Sequence, residues 1–182
     1  QYDTYGQVCG DAYQWKDITT DDTDAPKSVW DAHYNAIAAA NQALDAIKRL
    51  GGGEEYDPQR GEALICRAFA HFQLANLFCM PYDAAKADNT LGIPYSTEPE
   101  TEVLPEGIER GTLAHTYEMI DKDIEEGLPL IGDDIYTVPR YHFNQKAAYA
   151  FAARFNLYYH RYDKVIEYAD KVLGSNPAGS VR

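Results

Sequence analysis

The side chains best suited to move a proton near neutral pH are the five histidines, His33, His71, His115, His142 and His160. They are dispersed, and none stands four residues from another on a helix, as a zinc-binding His pair would. His71 falls in the middle of an apolar helical stretch with no Ser or Cys nucleophile signature beside it, so it reads as a packed histidine. Glu125-Glu126 and Asp133-Asp134 are the paired carboxylates. A glycosidase needs two carboxyl groups facing each other across a cleft, whereas neighbours on a helix point in different directions. Glu125-Glu126 therefore reads as a solvated face. Asp133-Asp134 lies in a loop without the acidic spacing of a calcium-binding loop. No glycine-rich phosphate loop follows a strand; Gly51-Gly52-Gly53 is a helix stop. The residues call for no cofactor, no metal and no catalytic centre.

Arg67 is different. It stands between Leu64-Ile65 and Ala68-Phe69 on an apolar helix, where a guanidinium needs a carboxylate or carbonyl partner. It reads as a structural buried charge, with Asp123 or Asp31 as its partner. Tyr13 and Trp15 are the ligand-contact candidates: aromatic faces stack on apolar ligand faces, and nearby Asp or Asn can accept hydroxyl bonds. The alternative for Trp15 is that it pins its segment to the helices.

Composition narrows the classes. The chain has 182 residues, 45% of them hydrophobic, enough for one folded domain with a sizeable core. A net charge of −13 argues against phosphate-backbone binding, which needs a basic face, so no nucleic-acid partner is expected. Tyrosine is abundant, at 15 against 6 Phe and 2 Trp, and most of it suits interhelical packing. Cys9, Cys66 and Cys79 form neither a metal spacing nor a disulfide framework. No apolar run approaches the roughly 20 residues needed to span a membrane. With no initiator Met at Gln1 and a loop-like end at Ser180-Val181-Arg182, the chain is expected to be part of a longer protein.

The elements follow from period and punctuation. Residues 1–27 are acidic, polar and aromatic, and read as an N-terminal loop segment; residues 28–182 read as a helical domain. Ser28, with Asp31 three residues on, suggests an N-cap. Trp30, Tyr34, Ile37, Asn41 and Leu44 then recur at helical steps to Leu50. Pro58 opens a second helix that ends before Pro81. Pro81, Pro94, Pro99 and Pro105 exclude a long helix over 80–110, and a connection of that length reads as functional or mobile. A third helix covers Leu113–Leu128. Helices near 144–160 and 162–174 close the chain, with Asn176-Pro177 as the stop. In these last two, Ala147, Ala148, Ala152, Ala153 and Ala169 permit close approach, and Tyr149, Phe155, Tyr158, Tyr162 and Tyr168 fill the gaps. Lys146 to Pro177 matches a tetratricopeptide repeat, a helix–turn–helix unit of about 34 residues. The expected fold is all-α: a superhelical array of helical hairpins with long irregular loops.

Four stretches, in order, resemble the N-terminal portion of the SusD-like (RagB/SusD) outer-membrane proteins of the Bacteroidetes. Trp30-Asp31-Ala32-His33-Tyr34-Asn35-Ala36-Ile37 with Asn41-Gln42-Ala43-Leu44-Asp45 resembles the family's first long helix. Glu62, Arg67, Ala68 and Leu74 reproduce the spacing E-x-x-x-x-R-A-x-x-x-x-x-L. Arg110-Gly111-Thr112, Tyr117-Glu118-Met119-Ile120 and Asp123-Ile124-Glu125 are similar to the helix before the second repeat, and Lys146 to Leu173 resembles that repeat. One departure stands out: Gly92-Ile93-Pro94 comes late, and Cys79-Met80-Pro81 replaces the usual glycine.

The resemblance implies a cell-surface binding protein, not an enzyme. It would capture a glycan for a SusC-like TonB-dependent transporter at the outer membrane, attached only through a lipid anchor absent from this chain, since Cys9 is internal. Tyr13 and Trp15 would belong to the aromatic platform that holds the glycan. The repeat pattern alone leaves open a scaffold that binds protein or peptide without carbohydrate specificity.

Overall fold

The computed structural model describes residues 6–99 and 107–174. Within them the chain is helical: α1 (Gln7–Tyr13), α2 (Pro26–Arg49), α3 (Asp57–Phe78), α4 (Leu113–Gly127), α5 (Gln145–Tyr158) and α6 (Tyr162–Leu173), with short 3-10 turns between them. No strand occurs among the described residues; the nearest approach is an isolated bridge between Leu91 and Thr112. The fold is all-α, as expected.

Helix α3 is the centre of the array and packs against both α2 and α4, while α5 and α6 form a second hairpin. Its sequence explains its place. Gly61, Leu64, Ile65, Arg67, Ala68, His71, Phe72 and Ala75 are all buried, so little of its surface is left for water. A Cβ on Gly61 would lie 2.8 Å from the Gly127 carbonyl oxygen and 2.9 Å from the Ile131 nitrogen, so glycine lets α3 and the end of α4 touch backbone to backbone. Aromatic rings join the two hairpins: Phe72 meets Phe151, Phe155 and Tyr158, and Tyr117 meets Phe155 and Tyr159. Ala148 and Ala152 are fully buried at this seam, whereas Ala147, Ala153 and Ala169 are half-buried. Tyr168 is buried and Tyr149 half-buried; Tyr158 is half-exposed yet packs edge-on against Phe72, whereas Tyr162 is exposed and fills no gap in the core.

The helix ends show which local signals won. Helix α2 starts two residues before Ser28, with Pro26 in its first turn and Ala25 as the capping residue. Proline's fixed φ and missing N–H suit that position, so Ser28 is not the cap. Its hydroxyl instead donates to the carbonyl oxygens of Asp22, at 2.8 Å, and Asp21, at 3.4 Å, holding the preceding turn. Asp31 pairs with Lys27. At the other end Gly51 and Gly52 take φ of 98° and 65°, the left-handed stop that glycine supplies without strain. Helix α6 ends at Gly174, with φ 68°; Asn176-Pro177 lies outside the described residues. Residues 7–13, within the segment read as a loop, form the short helix α1.

Candidate functional site

Two places gather the side chains that the sequence singles out. One is sealed in the core and the other stands in solvent.

The sealed one is built around Arg67, 7% exposed. Its Nε and Nη2 donate to the two carboxylate oxygens of Asp123, each at 2.7 Å, in the fork geometry that makes such pairs strong. Nη1 donates to Asn41 Oδ1 at 2.9 Å. Asp31, the other partner considered, stays on the surface with Lys27. The Tyr95 hydroxyl donates to Asp123 Oδ2 at 2.7 Å. Its ring stacks on His71, centroids 3.7 Å apart. Burial, reinforced by the charge of Asp123, raises the Tyr95 phenol well above its ordinary pKa.

His71 is fixed by both ring nitrogens. Nδ1 lies 2.9 Å from the Arg67 carbonyl oxygen, which only accepts, so Nδ1 carries the proton. Nε2 accepts from the Ser96 N–H at 3.3 Å. Burial first, and the neighbouring Arg67 charge second, push its pKa down to about 3. His71 is thus a neutral packed histidine with no free nitrogen for acid–base work.

The strap over this network is residues 91–98. Asn41 Nδ2 donates to the Ser96 carbonyl and hydroxyl and to the Glu98 carbonyl, at 3.2–3.3 Å. The Tyr34 hydroxyl donates to the Pro94 carbonyl at 2.7 Å. Ile93 beside them is fully buried. Side chains of α2, α3 and α4 thus satisfy a strand-less backbone that could not otherwise be buried. This part of the 80–110 connection is a fixed strap. Its polar anchors, Asn41, Tyr95 and Ser96, were missed by sequence reasoning; the available signal was Asn41, a polar residue on an apolar stripe.

Of the remaining acidic candidates, Glu125, Glu126 and Asp133 are engaged. Glu125 accepts from Lys164 and from the Tyr168 hydroxyl. Burial opposes ionisation there, but these two bonds outweigh it and hold the carboxyl below its usual value. Glu126 turns to Lys122, so the adjacent carboxylates face different ways. Asp133 accepts the backbone N–H of Gln145 at 2.8 Å. Glu62 accepts from His142 Nδ1 at 2.9 Å and from the Phe143 N–H, pinning the second irregular connection to α3. Among the described residues no cluster of metal-ligating side chains occurs.

The exposed place is the end of α1. Tyr13 is its last residue, 87% exposed, and Trp15 is 97% exposed. The Trp15 indole stands almost wholly in solvent, so it does not pin its segment to the helices. Its backbone has φ 55°, in the left-handed region. The Trp15 and Lys16 N–H groups bond back to the carbonyls of Ala12 and Asp11, at 3.1 and 2.9 Å. This is the conformation in which glycine usually closes a helix. A side-chain residue adopts it at a cost of about 1 kcal/mol. Two rings two residues apart, both open to solvent, can stack on an apolar ligand face.

Comparison with known proteins gives one family model, SusD-like_3, described as starch-binding and associating with the outer membrane, which matches residues 5–157. Among solved structures the chain is similar to a SusD superfamily protein from Bacteroides fragilis, with 26% identity and a TM-score of 0.74 over 92% of this chain and 38% of that one. It is similar to a SusD superfamily protein from Bacteroides thetaiotaomicron, with 28% identity and a TM-score of 0.65 over 81% and 32%. A SusD-like carbohydrate binding protein from Bacteroides vulgatus follows, with 25% identity and a TM-score of 0.67 over 80% and 30%. The chain spans about a third of the length of these structures. Comparison with curated protein sequences finds no match.

Proposed function

The chain belongs to the SusD-like family, and on that footing we propose that it is a cell-surface glycan-binding component of a TonB-dependent nutrient-uptake system. It would bind a polysaccharide or oligosaccharide without turning it over and pass it to a SusC-like outer-membrane transporter. The observation that carries this reading is the family match over residues 5–157. The exposed Tyr13 and Trp15 support it by supplying ring faces for a sugar. No helix among the described residues is long and apolar enough to cross a membrane. Attachment at the outer membrane through a lipid anchor is part of the same proposal, as the family resemblance implies. Arg67 would serve the fold, sealed beneath the strap, and would not touch ligand.

The test is co-purification of the tagged protein from its native host. A stoichiometric β-barrel transporter leaving the outer membrane with it is the expected result. A soluble partner with no barrel would contradict the reading and favour a repeat scaffold that binds protein.

A further inference from the structure

The turn between α5 and α6 repeats the device seen at Trp15. Trp15 and His160, φ 61°, are the two residues other than glycine with positive φ among those described, and both carry exposed aromatic rings. The turn itself is well closed: the Arg161 N–H returns to the Asn156 carbonyl at 2.9 Å. A left-handed position in a helix-to-helix turn is served best by glycine or asparagine, and a histidine there carries a cost that the turn does not require. Such outliers concentrate where a side chain must be presented.

What His160 presents is one side of a shallow cavity of about 390 Å³, open to solvent and lined by five consecutive residues, His160, Arg161, Tyr162, Asp163 and Lys164. The His160 and Tyr162 rings lie 6.4 Å apart and nearly parallel, with 27° between their planes. Tyr82 meets His160 from another side at 72°. Tyr162 is 59% exposed, and its ring is open for stacking.

The polar groups indicate the ligand's charge. Arg161 is committed to Asp121 at 2.6 Å and lies 3.9 Å over the Tyr159 ring, and Lys164 is committed to Glu125. Their charges are balanced within the protein, so the cavity does not call for an anion. Beside the two rings it is lined by Asp163, an exposed residue whose carboxylate can accept from a ligand hydroxyl group. We infer that this cavity is a second subsite for a neutral sugar ring, apart from Tyr13 and Trp15. This inference rests on the glycan-binding reading.

The test is an NMR titration of the chain with maltotriose and with laminaritriose, following the His160 and Tyr162 ring resonances and the Trp15 indole. Saturable shifts at His160 and Tyr162 with at least one sugar are expected. Tyr162→Ala should weaken that response roughly fivefold with an unchanged melting midpoint. His160→Gly, which keeps the left-handed backbone and removes the ring, should weaken it likewise. A response at Trp15 alone would overturn the second subsite and leave the glycan-binding reading standing. No response at either place would contradict both.

Discussion

Arg67 and Asp123 meet through two hydrogen bonds of 2.7 Å and thereby join α3 to α4 across 56 residues of chain. Asn41 and Tyr95 complete the same network, one from α2 and one from the strap. Asp123→Ala would leave the guanidinium buried without its counter-charge. A loss of about 3–5 kcal/mol is expected, read as a shift of the urea midpoint. Replacing both partners, Arg67→Met with Asp123→Leu, should cost less than Asp123→Ala alone. A shift below about 1 kcal/mol for the single variant would mean that the pair contributes no more than a surface contact.

His71 gives stability a pH dependence of definite sign. Folded, it stays neutral down to about 3; unfolded, it takes up a proton near its ordinary 6.5. Between those values the unfolded chain binds more protons, so stability rises with pH. The contribution is complete above 6.5 and is lost as pH falls toward 3, by at most about 1.4 kcal/mol per pH unit. Denaturation at pH 7 and 5 should show wild type losing roughly 2 kcal/mol more than His71→Gln. Equal losses would show that His71 titrates normally in the fold.

The contact between α3 and the end of α4 depends on the absence of side chains. Gly61→Ala places a methyl within 3 Å of backbone atoms that cannot move aside. A cost of about 1–3 kcal/mol is expected. Gly10 on α1 has open space around it, so Gly10→Ala should be neutral or favourable by up to about 1 kcal/mol. Thermal denaturation of the two variants checks the contrast. A Gly61→Ala protein as stable as Gly10→Ala would show that the helices have room to separate.

Much of the helical array was legible in the sequence. Apolar steps from Trp30 to Leu44, Pro58, Gly51 to Gly53 and the run from Lys146 gave α2, α3, α5 and α6 to within a few residues, because those signals are local. Helix α1 was not legible: at seven residues it has too few turns for an apolar period to emerge. The start of α2 was misplaced because Ser28 and Pro26 are rival start signals, and the proline's fixed φ prevailed. The strap was hidden for another reason. Asn41 and Ser96 lie 55 residues apart, and nothing local to Ser96 announces that side chains will satisfy its backbone. The choice of Arg67 followed from its apolar neighbours, whereas the exposure and left-handed backbone of Trp15 depend on how α1 ends.

The central claim is that the chain holds glycan on exposed aromatic rings. The most direct measurement is native affinity electrophoresis through gels containing soluble starch or laminarin, comparing wild type with Trp15→Gly. Glycine relieves the left-handed backbone and removes the indole, so the variant should fold at least as stably as wild type. Retardation of wild type in at least one glucan, with Trp15→Gly clearly less retarded, is the expected result. Wild type unretarded in every glucan, or Trp15→Gly retarded equally, would contradict the claim.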